Sequence, residues 1–262
     1  MSKMIGNYDE SLQKILNNKK LVIGSDLDYP PMGFKDSDGN IVGFDIDLSK
    51  AVCDKLGVQY EVKAVDWSKK EEELNAGNID CIWSGMSYTS EREKIMTLSE
   101  PYMNIKVIIT VKDDTIKSVN DLKGKKVGVK KDTTAEDILK KLTIYSADTT
   151  VYDEYDNLMK KLEEGQLDAV IIDNIIVQYY INSYNKKEFT ILSDILNEED
   201  YVIGFKKGDV ALRDKIQGIL NELKKDSTIE KISTKWFGKD TINNDNSSDG
   251  ISSKFAYKLI YE

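Results

Sequence analysis

Two stretches of the chain repeat one pattern of apolar and polar positions. LNAGNIDCIWSG at 74–85 and LEEGQLDAVIID at 162–173 each show a helix end, a glycine, and an aspartate before a short apolar strand. KKLVIGSD at 19–26 and KKVGVKKD at 125–132 match in the same order, each a β-prone run ending at an acid. A glycine and an aspartate before a strand also form a common helix-to-strand link. The repeat nevertheless predicts two similar α/β units, which would form a cleft lined by strand ends, where open α/β sheets bind ligands.

The segments around the first copy predict a βαβαβ unit. Apolar spacing and turn residues give the boundaries, with Pro30 and Pro31 excluding a helix between the first two strands. The predicted elements are a polar helix over Tyr8–Asn17, strands over Leu21–Ser25 and Ile41–Gly43, an amphipathic helix from Asp47 to Leu56, a strand over Val58–Val65, a helix over Lys69–Asn75 and a strand over Ile79–Trp83.

The second copy lies between two β-prone connectors, Lys106–Lys112 and Tyr201–Phe205. If the second connector returns to the first unit, the second unit is an insertion, and two crossing strands form a hinge. The remaining predicted elements are a strand over Val127–Lys130, a helix from Thr134 to about Leu142, a strand over Ala169–Ile172, and closing helices over Ala211–Lys225 and Thr228–Trp236. We therefore expect a first lobe of residues 1–106 and 200–240, an inserted second lobe of 107–199, and a tail or linker at 241–262.

Composition narrows the class of partner. The 262 residues include 46 acidic and 37 basic side chains, a net charge of -9. This balance argues against nucleic acid or an anionic membrane surface as the main partner. The chain has neither an apolar run of about 18 residues nor a charged-then-apolar leader. We expect either a cytosolic protein or one whose leader has been removed, and the opening MSKMIGNYDE resembles a start methionine joined to a mature sequence.

The chain contains no histidine and two cysteines. Serine or cysteine nucleophiles activated by histidine are therefore excluded, as are the usual histidine-containing zinc sites. Cys53 and Cys81 each lie in an apolar stretch, which predicts buried free thiols rather than a disulfide. We predict neither a metal ion nor a cofactor.

The segment SGMSYTSEREKIMTLSEPY at 84–102 carries the sharpest chemical signal. It predicts that a strand ends at Ser84 and that Gly85 allows close backbone approach. Ser87 and Thr89 then supply hydroxyl groups before a helical turn that holds Arg92. An arginine fork surrounded by hydroxyl and N–H donors is suited to a carboxylate. Serine-rich turns with a surface arginine are common, so the segment alone leaves both interpretations open.

Four motifs together resemble a known family. They are IGSDLDYPPMGFKDSDGNIVGFDIDLSKAVCDKLG, the segment at 84–102, KKVGVKKDTTAEDIL and LDAVIID, in this order over residues of about 20 to 238. The chain resembles the polar amino-acid-binding proteins of ABC importers, family 3 of the solute-binding proteins. The resemblance implies the type II periplasmic binding protein fold, with two Rossmann-like α/β lobes joined by a two-strand hinge.

The resemblance also implies a role for individual residues. Arg92 matches the arginine that pairs with the ligand α-carboxylate, and Ser87 and the Gly85 backbone match its neighbours. Thr133 and Thr134 match donors from the second lobe to the same carboxylate, at a helix start that suits an anion. Asp173 matches the acid that accepts the α-ammonium group, so the two charges of the ligand would be held mainly from opposite lobes.

Four further residues match positions around the ligand side chain. Tyr29 and Trp67 match the aromatic residues that enclose it, and Asp26 matches a polar contact from the first lobe. Lys130 falls where some relatives, notably glutamine binders, place a lysine. The plainer alternatives are ordinary packing for the two aromatic residues, a loop cap for Asp26 and a solvated charge for Lys130. We read Trp83 as a core residue.

Two departures from the family pattern affect what can be carried over. Asp132 stands where many relatives have glycine, which puts the path of that loop in question. Cys53 stands where some histidine and lysine binders have half of a disulfide, but Tyr60 occupies the partner position. The specificity of that subgroup is therefore not expected here.

The resemblance predicts a monomeric extracytoplasmic receptor, in the periplasm or as a cell-surface lipoprotein. It would close on an L-α-amino acid, with a polar or sizeable side chain favoured, and present the closed form to ABC permease subunits. One alternative is an enzyme similar to the cyclohexadienyl dehydratases, which would need a general acid, with Asp26 or Lys130 as candidates. Another is a sensor or fused domain of a larger membrane protein, because KFAYKLIYE at the end could precede a membrane segment.

Overall fold

The computed structural model describes residues 9–142, 148–184 and 188–238. The predicted tail at 241–262 and the predicted helix start at Tyr8 lie outside these residues. The helices are α1 (Ser11–Asn18), α2 (Phe44–Leu56), α3 (Lys70–Ala76), α4 (Ser90–Ile95), α5 (Thr134–Lys141), α6 (Tyr155–Glu163), α7 (Asn174–Tyr184), α8 (Val210–Lys225) and α9 (Thr228–Phe237). The strands are β1 (Lys20–Ser25), β2 (Asp28–Tyr29), β3 (Gly33–Lys35), β4 (Ile41–Val42), β5 (Gln59–Ala64), β6 (Cys81–Ser87), β7 (Met96–Leu98), β8 (Met103–Val111), β9 (Lys126–Lys130), β10 (Asp148–Tyr152), β11 (Ala169–Asp173) and β12 (Thr190–Lys206).

A large mixed sheet organises the chain. Its strand order is β10-β9-β11-β8-β12-β6-β1-β5, with β7 paired to β12, and β2, β3 and β4 form a small separate sheet. The strands β5, β1 and β6 are parallel at one end, and β10, β9 and β11 are parallel at the other. We call these ends the first and second lobe. The fold is thus α/β with two Rossmann-like lobes.

The repeated aspartate has the same structural role in both lobes. The carboxylate of Asp80 accepts a hydrogen bond from the backbone N–H of Val22 at 2.9 Å. Asp168 accepts the corresponding bond from Lys126 at 2.7 Å. Asp80 therefore links the start of β6 to its parallel neighbour β1, and Asp168 links the start of β11 to its parallel neighbour β9. The sequence repeat reflects a repeated structural unit.

Two antiparallel strands, β8 and β12, join the lobes. In their shared register Tyr201 lies opposite Met103 and Glu198 lies opposite Lys106. β12 also pairs with β6 of the first lobe, while β8 also pairs with β11 of the second. The prediction of two crossing strands is confirmed by the fold, but β12 is a 17-residue strand, far longer than the predicted Tyr201–Phe205.

β6 also continues past its predicted end. The sequence predicts that this strand ends at Ser84, whereas the structure extends it to Ser87. β12 supplies the partner, because Tyr201 lies opposite Ser87 and Val202 lies opposite Met86. A neighbour from a distant segment thus completes strand hydrogen bonds that local sequence does not reveal.

Both lobes have close-packed apolar interiors. Trp83 is fully buried, as predicted for a core residue. Cys53 and Cys81 are buried free thiols, which confirms the cysteine prediction. Among the described residues, no helix combines the length and the hydropathy required to cross a bilayer.

Candidate functional site

A cavity lies between the carboxyl ends of strands from the two lobes. Every predicted site residue lines it. The lining consists of Asp26, Tyr29, Trp67, Gly85, Ser87, Arg92, Lys130, Thr133, Thr134 and Asp173, with Ser84 and Tyr155 in addition. The structure therefore brings together residues that the sequence separates by up to about 150 positions.

Arg92 projects into this cavity from the first turn of α4. The Thr89 side chain caps this helix by accepting the Arg92 backbone N–H at 3.1 Å. The guanidinium Nη1 donates to the backbone carbonyl of Ser87 at 2.6 Å, which orients the fork. Burial lowers the pKa of Arg92, and the nearby charges of Glu71 and Glu199 oppose that shift. The guanidinium remains a cation, which makes it a strong partner for a carboxylate.

Gly85 is held in place by a buried acid behind the cavity. It has φ +52°, and a Cβ at this position would lie 2.3 Å from the Tyr29 ring, so only glycine fits. Its N–H donates to Asp45 Oδ2 at 2.7 Å, and the Tyr102 hydroxyl donates to the same oxygen at 3.0 Å. Burial raises the pKa of Asp45 to about 7. The Gly85 N–H is thus already used within the protein.

The second-lobe edge of the cavity is the N-terminus of α5. Thr133 caps this helix by accepting the Glu136 N–H, and its hydroxyl donates to the Lys130 carbonyl at 2.7 Å. The Thr134 hydroxyl donates to Glu199 Oε2 at 2.8 Å. Asp132 adopts a left-handed φ of +58°, a conformation in which aspartate is tolerated better than most residues. This aspartate therefore adopts a backbone conformation that glycine also favours.

Asp173 ends β11 and is 8% exposed. The hydroxyl groups of Tyr29 and Tyr201 both donate to its Oδ2. Burial raises the pKa of Asp173, with a further contribution from Glu199, while the two tyrosine bonds lower it. The carboxylate is desolvated but hydrogen-bonded, as a buried acid requires.

Lys130 bridges the two lobes. It is 3% exposed at the end of β9, and its Nζ donates to Asp26 Oδ2 at 2.6 Å and to Asp28 Oδ2 at 3.3 Å. The backbone N–H of Tyr155 donates to the same Asp28 oxygen at 2.6 Å. The family resemblance implies that Lys130 and Asp26 each lie near the ligand side chain, and the structure pairs them with each other.

Three aromatic rings border the cavity. Tyr29 stacks on Tyr155 with 5.3 Å between ring centroids, and Lys130 Nζ lies 4.5 Å from the Tyr155 ring centre. Trp67 lies on the first-lobe side, where Lys70 Nζ is 4.6 Å from its ring centre. Tyr155 was not predicted from the sequence.

The sequence repeat contained the signal for Tyr155. Trp67 precedes the glycine of the first copy, Gly77, by ten positions, and Tyr155 precedes Gly165 by ten. Each aromatic residue follows an edge strand, β5 or β10, and lies at the start of the following helical segment. The two copies of the repeat are 88 positions apart, and Tyr155 lies 88 positions after Trp67.

Similarity to known proteins identifies the family of this chain. Residues 21–239 match the family described as bacterial extracellular solute-binding proteins, family 3. The chain belongs to this family. As a family 3 solute-binding protein, it has the type II periplasmic binding protein fold and is extracytoplasmic.

Named relatives of this solute-binding protein differ in their ligands. Arginine-binding extracellular protein ArtP of Bacillus subtilis is 35% identical over 222 residues, covering 84% of this chain and 86% of the relative. The glutamine-binding protein GlnH of the same species is 32% identical over 238 residues, covering 88% and 86%. A histidine-bound substrate-binding protein from Streptococcus pneumoniae superposes with a TM-score of 0.84 at 30% identity, covering 91% of this chain and 100% of that one.

Proposed function

We propose that this protein captures an L-α-amino acid between its lobes and delivers it to the permease of an ABC importer. The observation that carries the proposal is the opposition of Arg92 and Asp173 across one cavity. An amino-acid zwitterion carries a carboxylate that can pair with Arg92 and an ammonium group that can pair with Asp173. Relatives named for arginine, glutamine and histidine support an amino acid as the ligand.

In this proposal the α-carboxylate pairs with the Arg92 fork and receives further donors from Ser87 and from the backbone N–H groups of Thr133 and Thr134 at the start of α5. Charge-assisted bonds of this kind are about twice as strong as neutral ones. Asp173 accepts the α-ammonium group. The ligand then satisfies both lobes at once, which favours the closed state by its differential affinity for that state.

The ligand side chain would occupy the region bordered by Trp67, Tyr29, Asp26 and Lys130. The presence of polar groups at this end favours a polar or sizeable side chain over a small aliphatic one. We propose lobe boundaries at 1–106 with 200–240 and at 107–199, and a monomer that permease subunits bind in its closed form.

We propose a binding role without a catalytic step. A dehydratase would need a free general acid, and the two candidates, Asp26 and Lys130, form an ion pair at 2.6 Å. Of the solved relatives, an ancestral amino-acid-binding protein is described as a precursor of cyclohexadienyl dehydratase. An assay of the purified protein for cyclohexadienyl dehydratase activity would contradict a purely binding role if product formed.

A thermal-shift screen against the common amino acids and cystine tests the proposal. A ligand at 100 times its dissociation constant adds about 2.7 kcal/mol to the free energy of unfolding. Small-angle scattering with the ligand found should then give a smaller radius of gyration than without it, because closure brings the lobes together. The absence of any stabilisation by an amino acid would overturn the proposal.

A further inference from the structure

Lys70 occupies an unusual position for a lysine. It is the first residue of α3 and is 5% exposed, and its Nζ lies over the Trp67 ring at 4.6 Å from the centre. The same Nζ donates to the Trp67 carbonyl at 3.0 Å and pairs with Glu71 Oε1 at 3.1 Å. Burial lowers the pKa of Lys70, and Glu71 opposes that shift. The ion pair retains the positive charge on Lys70.

Trp67 contacts both this charge and the cavity. Trp67 lines the cavity, whereas Lys70 does not belong to its lining. A cation on one face of an indole draws the electron density of the ring towards itself. The opposite face is then a poorer surface for a second cation and remains suitable for a neutral group.

The acids across the cavity are partly neutralised by a buried ammonium group. Asp26 lines the cavity and Asp28 does not, and both are bonded to the buried ammonium of Lys130. Asp28 also accepts the Tyr155 N–H. A cationic side chain entering between Trp67 and these acids would have to compete with Lys130 for them.

We propose that Lys70, acting through Trp67, makes the site select a neutral polar side chain over a cationic one. The inference rests on the proposed function, since it requires that Trp67 contacts the ligand side chain. It names Lys70 as a specificity-determining residue that does not itself contact the ligand.

The size of the effect follows from distance. A cationic group stacked about 3.5 to 4 Å from the ring would lie about 8 Å from Lys70 Nζ. Two unit charges at that separation and an effective dielectric constant of about 20 change an affinity by about thirtyfold. The opposite charge of Glu71 reduces this, so we expect a contribution of about three- to tenfold.

The test uses arginine and citrulline, which have nearly the same shape and differ in charge, and the similar pair lysine and glutamine. Dissociation constants are measured by titration calorimetry for the wild type, Lys70→Gln and Lys69→Gln. Lys69 is the exposed neighbour on the same turn, so the control variant removes an equal charge without uncovering Trp67. Thermal melting confirms that each variant is folded.

We expect the wild type to bind the neutral member of a pair more tightly. Lys70→Gln should narrow the ratio of the two dissociation constants by about three- to tenfold, and Lys69→Gln should leave it unchanged. A wild type that binds amino acids without preferring citrulline or glutamine overturns the inference, and this result needs no variant. If Lys70→Gln weakened the binding of the charged and the neutral amino acid by the same factor, the inference would also be overturned. Lys70 would then only hold the Trp67 ring in position. If no amino acid binds at all, the proposed function itself fails.

Discussion

The Tyr29 hydroxyl donates a hydrogen bond to the carboxylate of Asp173, although the two residues are 144 positions apart. Tyr29 belongs to the small sheet of the first lobe and Asp173 ends a strand of the second. The acid proposed for the ligand ammonium is thus already oriented by the opposite lobe. The ligand ammonium group would therefore meet a carboxylate that is already in position, which reduces the reorganisation that binding requires.

Replacing Arg92 or Asp173 by alanine should weaken amino-acid binding severely. Each change removes one partner of a desolvated charge pair, at a cost of roughly 2 to 5 kcal/mol, or about thirtyfold and more in affinity. Titration calorimetry measures the loss. Arg213→Ala serves as the control, since Arg213 bonds Asp214 and the Leu98 carbonyl, outside the cavity lining. Near-normal affinity in either site variant would contradict the assigned site.

Trp67→Ala should change the ranking among amino acids more than it reduces binding overall. The proposed aromatic contact is with the ligand side chain, whereas Arg92 and Asp173 hold the charges common to all amino acids. Competition titrations with several amino acids measure the ranking. An equal loss for every ligand would mean that Trp67 supports the fold rather than selecting the ligand.

Lys130→Met should open the ligand-free protein. It removes the ion pairs from Lys130 to Asp26 and Asp28, and these pairs join the two lobes. Small-angle scattering without ligand should show a larger radius of gyration than the wild type. Lys131→Met is the matched control, because Lys131 is half exposed and lies 4.0 Å from Asp153 on the same lobe. Identical profiles for Lys130→Met and wild type would show that other contacts hold the lobes together.

Asp45 should make stability depend on pH. Its pKa is about 7 in the folded state and about 4 when unfolded. Between these values the folded state keeps a proton that the unfolded state has lost. The free energy of unfolding therefore falls as pH rises through this window, by about 1.4 kcal/mol per pH unit from this group, and levels off above pH 7.

Asp45→Asn cannot titrate and isolates this contribution. In urea unfolding experiments, the free energy of unfolding of the wild type should fall between pH 5 and pH 8. That of the variant should fall less, so the variant gains stability relative to the wild type over this range. Asp54→Asn is the control, because Asp54 is exposed on the same helix. A stability difference between Asp45→Asn and wild type that is the same at both pH values would show that Asp45 does not bind a proton in this range.

The sequence predicted those elements whose pattern of apolar and polar residues lies within the segment itself. β9 and β11 are short apolar runs that end in polar residues, and their observed limits differ from prediction by one residue. α7 was missed because it is apolar on most positions and follows β11 directly, so its pattern could not be separated from a continuing strand. The extra length of β12 depends on pairing with β8, which local sequence does not encode.

The candidate site was predicted through the family resemblance rather than through local chemistry. Arg92 in a serine-rich turn was ambiguous until the other motifs were considered. The pairing of Lys130 with Asp26 was missed because it joins residues 104 positions apart, at the ends of two strands whose relative placement depends on how the lobes meet. Tyr155 was missed although the repeat marked it.

The length of β12 also affects how the protein unfolds. This one strand is hydrogen-bonded to β6 in the first lobe and, through β8, to the sheet of the second. Fraying of either lobe exposes a strand that the other lobe needs as a partner. The two lobes therefore share one cooperative unit of stability, and loss of structure in one is transmitted along the backbone to the other.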